Sequence, residues 1–162
     1  MDKKSLFIKV IKENEGLIFK VANLYTNSLH DQEDLYQEIV FQLWKSFDSF
    51  NDRSKLSTWM YRVAMNTAIY TLKTAERKIK TISIDAETEH VANVSDNPEE
   101  HKVKALYERI KILNLLEKGI IMLYLEGKSH QEIGEIVGIS TSNVGTKISR
   151  IKEKLKNYGT KK

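Results

Sequence analysis

The 162-residue chain carries 26 Lys and Arg against 22 Asp and Glu and contains no cysteine. That length allows one domain or two small ones, and the missing cysteines exclude disulfides and thiolate metal sites. The net charge of +4 is segregated. Residues 1–80 hold 13 basic and 10 acidic groups, 81–101 none and six, and 102–162 13 and six. Two basic modules around an acidic connector suit a polyanion partner.

From the start of the chain, lysines interrupt the apolar residues every three or four positions, so the N-terminus reads as an amphipathic helix rather than a signal peptide. No apolar run reaches membrane-spanning length, so a soluble, cytoplasmic chain without membrane insertion is expected. Leu6, Val10, Leu17, Val21 and Leu24 trace one helical face through about the first 27 residues, with Gly16 as the place where it is open to a break. Residues 27–30 read as a turn, and Asp31 as the cap of a second helix with Glu33 and Asp34 in its first turn.

On that second helix Leu35, Ile39, Leu43 and Phe47 form the packing side. Asp34, Gln37, Glu38 and Phe41 recur at i, i+3, i+4 and i+7 on another side. Two carboxylates, an amide and an aromatic on one face suit the docking of a basic helix; the same acids would also suit any helix N-terminus. No nucleophile or glycine-rich phosphate loop accompanies them, so acid–base chemistry is not expected. His30, His90, His101 and His130 lack ligand spacing. No catalytic residue, metal, cofactor or small-molecule substrate is anticipated.

Residues 48–55 read as a polar loop containing Phe50, Arg53 and Lys55. Ser57 is expected to cap a third helix that runs to about Lys78. Leu56, Trp59, Met60, Val63, Ala64, Thr67 and Tyr70 are its expected buried side, and Arg62, Asn66, Ile69, Lys73 and Arg77 line another. Phe50 and Tyr61 beside a basic stripe supply what unstacked bases and their backbone need. A flexible acidic linker over residues 80–103 follows, holding Pro98, the one proline.

The stretch from Ser129 to Leu155 has the strongest local signals. Ser129 with Glu132 is a capping box, and Ile133, Ile136 and Val137 are the apolar face of a short helix. Gly134 leaves room for another helix to come close, Gly138 supplies a left-handed terminus, and Ser140 caps a second helix. Two helices joined by a glycine-containing turn make a helix-turn-helix. On the second helix Val144, Ile148, Ile151 and Leu155 face the core, while Asn143, Thr146, Lys147, Arg150 and Lys154 form a stripe able to read bases and grip phosphates. Repressors and response regulators use such units too.

Residues 31–38 (Asp-Gln-Glu-Asp-Leu-Tyr-Gln-Glu), Leu43-Trp44, Phe50 and residues 57–68 (Ser-Thr-Trp-Met-Tyr-Arg-Val-Ala-Met-Asn-Thr-Ala) resemble region 2 of extracytoplasmic-function sigma factors of bacterial RNA polymerase. Residues 123–140 and the helix after them resemble region 4. The resemblance implies an all-α protein of two small helical domains, 1–79 and 104–162, joined by the linker. It implies an initiation factor that binds core RNA polymerase and promoter DNA, and an anti-sigma partner. Asp34, Gln37 and Glu38, with Phe41 beside them, match the face that docks on clamp helices of the β′ subunit. Phe50 and Asn66 match positions that capture a flipped minus-10 base, with Tyr61 and Arg62 as neighbours and Arg53, Lys55 and Lys73 as flanking cations. Ser142, Asn143, Thr146, Lys147 and Arg150 fall on the helix that reads the minus-35 element, and Lys154 continues its stripe.

Three positions depart from the family pattern. Asn114 stands where a proline often opens region 4, Gly134 where alanine is usual, and Gly145 where a basic residue is common. Two rivals stay open: a free-standing helix-turn-helix regulator, which needs neither the acidic face nor Phe50, and an adaptor that binds polymerase without melting DNA.

Overall fold

The computed structural model describes residues 2–50, 52, 54–81 and 98–160. Among them are eight α-helices, one short 3₁₀ turn and no strand. The chain divides into two units, Met1–His90 and Val91–Lys162.

The first unit holds α1 (Lys3–Glu13), α2 (Glu15–Leu24), α3 (Leu29–Ser46), a 3₁₀ turn (Phe47–Ser49) and α4 (Leu56–Thr81). The expected single N-terminal helix is therefore two. The break falls at Asn14 rather than Gly16: Asn14 leaves helical geometry, and its Nδ2 donates back to the Val10 carbonyl at 2.8 Å. The inward residues shift as well. Phe7, Val10, Ile18, Val21, Ala22 and Leu24 are buried, whereas Leu6 is exposed. Ser28 rather than Asp31 caps α3; its hydroxyl accepts from the Asp31 N–H at 3.1 Å, so Asp31 is a first-turn acid.

α4 starts at Leu56, which puts Ser57 inside the helix. It packs on α2 and α3 through Trp59, Met60, Ala64, Met65 and Ala68 against Ile18, Val21, Leu35, Ile39 and Leu43. Tyr70, expected on that buried side, is 73% exposed. With about 3.6 residues per turn, Tyr70 falls nearer Asn66 and Arg77 than the buried Met60, Ala64 and Ala68. Tyr61, expected at the DNA surface, is only 4% exposed and belongs to the core.

The second unit holds α5 (Pro98–Ile110), α6 (Leu115–Leu125), α7 (His130–Val137) and α8 (Thr141–Thr160). Helix begins at Pro98, so the expected linker is helical from there to residue 103. Proline at the first helical position lacks only an N–H that would be unpaired anyway, and Glu99 and Glu100 sit in the first turn, where the dipole favours acids. Residues 80 and 81 of that linker belong to the end of α4, and residues 82–97 lie outside the described residues. Asn114 opens α6 through a complete capping box: Asn114 Oδ1 accepts from the Glu117 N–H at 2.8 Å, and Glu117 Oε1 from the Asn114 N–H at 3.1 Å. The unfamiliar residue is a working cap.

Candidate nucleic-acid and protein interfaces

The helix-turn-helix closes through its turn. Ser129 Oγ accepts from the Glu132 N–H at 3.1 Å, and Gly138 ends α7 with φ of 81°, a conformation that disfavours any residue with a Cβ. The N–H groups of Gly138 and Ile139 both donate to the Gly134 carbonyl, at 2.8 and 3.1 Å. A Cβ on Gly134 would lie 2.6 Å from the Ile139 carbonyl oxygen, so what comes close there is the backbone of the turn rather than another helix. Ser140 Oγ then accepts from the Asn143 N–H at 3.1 Å and starts α8.

On α8 Val144, Ile148 and Ile151 are buried against Ile133 and Ile136 of α7, and Leu155 is half-buried. Ser142, Asn143, Thr146 and Arg150 are exposed and Lys147 half-buried. Thr146 Oγ1 donates to the Ser142 carbonyl at 3.3 Å. Asn143 and Arg150 lie two turns apart on one side of the helix, a spacing that lets both reach one groove. At Gly145 an added Cβ would meet the His130 ring at 3.6 Å, an ordinary contact. A Cβ is tolerated there without strain.

Lys154 does not share that freedom. Its Nζ lies 2.7 Å from Glu117 Oε2 and ties the end of α8 to the cap of α6. Its side chain stays 55% exposed, so the ion pair adds a structural contact at the residue expected to extend the DNA-facing stripe. Burial pushes the Glu117 carboxyl up, but the Lys154 hydrogen bond, the Asn114 N–H and the charges of Lys154 and Lys147 hold it below 4.5. A depressed folded-state pKa contributes stability that is full above pH 4.5 and is lost as pH falls through the folded value. Glu117→Gln keeps the cap geometry but loses the ion pair. It should cost about 1–2 kcal/mol at neutral pH and remove part of the acid sensitivity, as read by thermal denaturation of the full chain between pH 3 and 7.

In the first unit the α3 face is presented as expected. Asp34, Gln37, Glu38 and Phe41 are all exposed, Phe41 by 51%. Gln42 Nε2 donates to Glu38 Oε1 at 3.1 Å, His30 Nε2 lies 3.4 Å from Asp34 Oδ2, and Lys45 Nζ sits 5.4 Å over the Phe41 ring. These are exposed i, i+4 contacts worth a few tenths of a kcal/mol each. A partner can displace them.

Phe50 is half-buried rather than free at a loop edge. Its ring packs on Trp59 with centroids 5.2 Å apart, and Trp59 is followed by Phe47 at 6.4 Å, Phe7 at 5.3 Å from Phe47, and Trp44 at 5.0 Å from Phe7. Lys3 fastens the far end, 2.7 Å from Asp48 and 4.5 Å over Trp44. Asp52 carries the one positive φ of a non-glycine residue among the described residues, 60°, a conformation that aspartate tolerates. Arg53 lies outside the described residues. Lys55, Asn66 and Lys73 are exposed and Arg62 is half-buried. Tyr70, which periodicity assigned to the core, lies on the Asn66, Lys73 and Arg77 side of α4, at i+4 from Asn66. Only its exposure reveals it.

Residues 10–78 match the family model of Sigma-70 region 2, and residues 104–155 that of Sigma-70, region 4. The ECF RNA polymerase sigma-E factor of Haemophilus influenzae is 34% identical over 153 residues, covering 85% of this chain and 80% of its own. The chain belongs to the extracytoplasmic-function sigma factors. ECF RNA polymerase sigma factor SigW of Bacillus subtilis is similar too, 30% identical over 165 residues that cover 93% of this sigma factor and 87% of that one. Of solved structures, the sigma factor RpoE bound to the anti-sigma factor NepR from Bartonella quintana shares the fold, with a TM-score of 0.71 at 18% identity, covering 95% of this chain and 94% of that one. CnrH in complex with the cytosolic domain of CnrY follows at 0.67 and 15%, covering 96% and 88%. This sigma factor is a promoter-recognition initiation factor. Among the described residues no helix is long and apolar enough to cross a membrane.

Proposed function

We propose that this sigma factor acts in the cytoplasm without catalytic activity, docking on core polymerase through Asp34, Gln37, Glu38 and Phe41 of α3. Phe50 and Asn66 capture a minus-10 base, supported by Arg62 and Lys73, with Lys55 and Arg53 in the loop. Ser142, Asn143, Thr146, Lys147 and Arg150 read the minus-35 element. The observation that carries this reading is the separation of surfaces: an exposed acidic face on one unit and an exposed amide, hydroxyl and guanidinium stripe on the other. A free-standing regulator has no use for the first. To the minus-10 surface we add Tyr70, whose exposed ring, about 6 Å along α4 from Asn66, can pack on the next nucleotide. The anti-sigma partners of RpoE and CnrH support a regulator of the same kind here. Residues 1–79 and 104–162 serve as the polymerase and minus-10 module and the minus-35 module, with the acidic connector between them.

Run-off transcription with core polymerase on a genomic fragment library tests the activity and supplies the promoter. On that promoter Asn143→Ala should cost about 1–3 kcal/mol and relax preference at one base pair. Arg150→Ala should relax a second position and also lower the salt dependence by about one ion. A promoter-library selection that leaves base preference unchanged in both variants would remove α8 as the reader.

A further inference from the structure

Beside the acidic face, α2 and the first turns of α3 enclose a cleft of about 200 Å³ lined by Phe19, Leu29, Gln32, Glu33, Tyr36 and Gln37. Its walls are unusual for a surface with nothing on it. Phe19 is 54% exposed and Leu29 70%. Gln32 Nε2 is buried and has no hydrogen-bond partner, although a buried amide group is normally paired. Gln37 belongs both to this cleft and to the docking face, so the two surfaces are continuous.

The chemistry of the rim selects the occupant. Glu33 lines the cleft, and the docking face with Asp34 and Glu38 adjoins it through Gln37, so negative charge borders it on that side and repels phosphates. A second copy of the chain would bring two acidic rims face to face, because a twofold contact is self-complementary. The cleft is also smaller than the roughly 300–1,000 Å³ typical of small-molecule pockets. A protein element with basic flanks remains. We propose that the cleft is the anchor socket of the docking face: it takes one apolar side chain from a basic helix of core polymerase, with a side-chain oxygen of that helix accepting from Gln32 Nε2. The proposal rests on the assignment of the α3 face to polymerase docking. The acidic face supplies attraction at a distance, while the socket fixes register and slows release, as buried apolar anchors do at interfaces.

Titration of the full-length chain against core polymerase at low and moderate salt tests it. Leu29→Gln and Phe19→Gln should each weaken binding about tenfold, by a factor that changes little with salt, whereas the loss in Glu38→Lys should depend on salt. Leu29→Met keeps apolar volume and should bind as wild type, which separates socket filling from any effect on the α3 terminus. Gln32→Leu should weaken binding several-fold, since the partner oxygen would lose its donor. Wild-type affinity in Leu29→Gln and Phe19→Gln, with Glu38→Lys still impaired, would overturn the socket and leave the acidic docking face standing. Wild-type affinity in all three would overturn both. Sedimentation showing a dimer of the free chain that Leu29→Gln dissolves would assign the cleft to a second copy and overturn the proposal.

Discussion

Glu38→Lys should lose about 2–3 kcal/mol of affinity for core polymerase, roughly 30- to 150-fold, while the free protein melts at nearly the wild-type temperature. The two halves of that expectation have separate causes. Glu38 is exposed and its one described hydrogen bond is from Gln42 at 3.1 Å, so the fold loses only a few tenths of a kcal/mol. In the complex, a lysine at the same place sets like charge against a basic partner helix, and like-charge juxtaposition across an interface costs several kcal/mol before salt screens it. The loss should shrink as ionic strength rises, because the Debye length falls from about 10 Å at 0.1 M to about 3 Å at 1 M. Fluorescence titration of labelled chain against core at several salt concentrations measures both quantities. Equal affinity for variant and wild type at moderate salt would move the docking surface elsewhere on the molecule.

The features that the sequence displayed most clearly are those determined locally. Ser129, Gly138 and Ser140 each fix a helix end within three residues of themselves, and all three act as their types require. The acidic α3 face was equally legible, because i, i+3 and i+4 spacing on an exposed helix needs no knowledge of a partner. What escaped depends on the third dimension. Spacing set Tyr70 beside Val63 and Thr67 on the expected buried side of α4, and only the packing of α2 and α3 shows how narrow that side is: Val63 is half-buried and Tyr70 exposed. Lys154 fits the α8 basic stripe by spacing, yet its partner Glu117 is 37 residues away in sequence. Asn14 breaks the first helix by turning its own amide onto Val10, an option open to any asparagine and announced by no pattern. Tyr61 was given a surface role because it neighbours Phe50 and a basic stripe in sequence, but nothing in that pattern requires exposure, and the packing of α4 encloses it. Pro98 looked like linker because prolines end helices more visibly than they start them.

Phe50→Ala should leave core binding and minus-35 protection intact and abolish promoter melting. The packing of Phe50 makes this a sharper test than an exposed loop residue would allow. Its ring rests on Trp59 at 5.2 Å, so truncation removes an aromatic pair worth about 0.5–1.5 kcal/mol. A stability loss of that size alone would reduce every activity of the protein together. A base-capture role predicts a selective loss instead. Stacking of a base on an aromatic ring is worth about 1–3 kcal/mol, and extruding that base costs a few kcal/mol, so without the ring the cost goes unmatched. Trp59, Phe47 and Phe7 then act as a backing that holds the Phe50 ring in place before DNA arrives, reducing the ordering needed at capture. Phe50→Leu distinguishes the two effects, because leucine preserves much of the apolar packing on Trp59 but offers no flat face to a base. Thymines near the start site should stay unreactive to permanganate in both variants. A template carrying a pre-opened bubble should restore transcription, since the missing step has been done in advance. If Phe50→Leu melts duplex promoters as well as wild type, the ring serves the fold alone and base capture belongs to another residue.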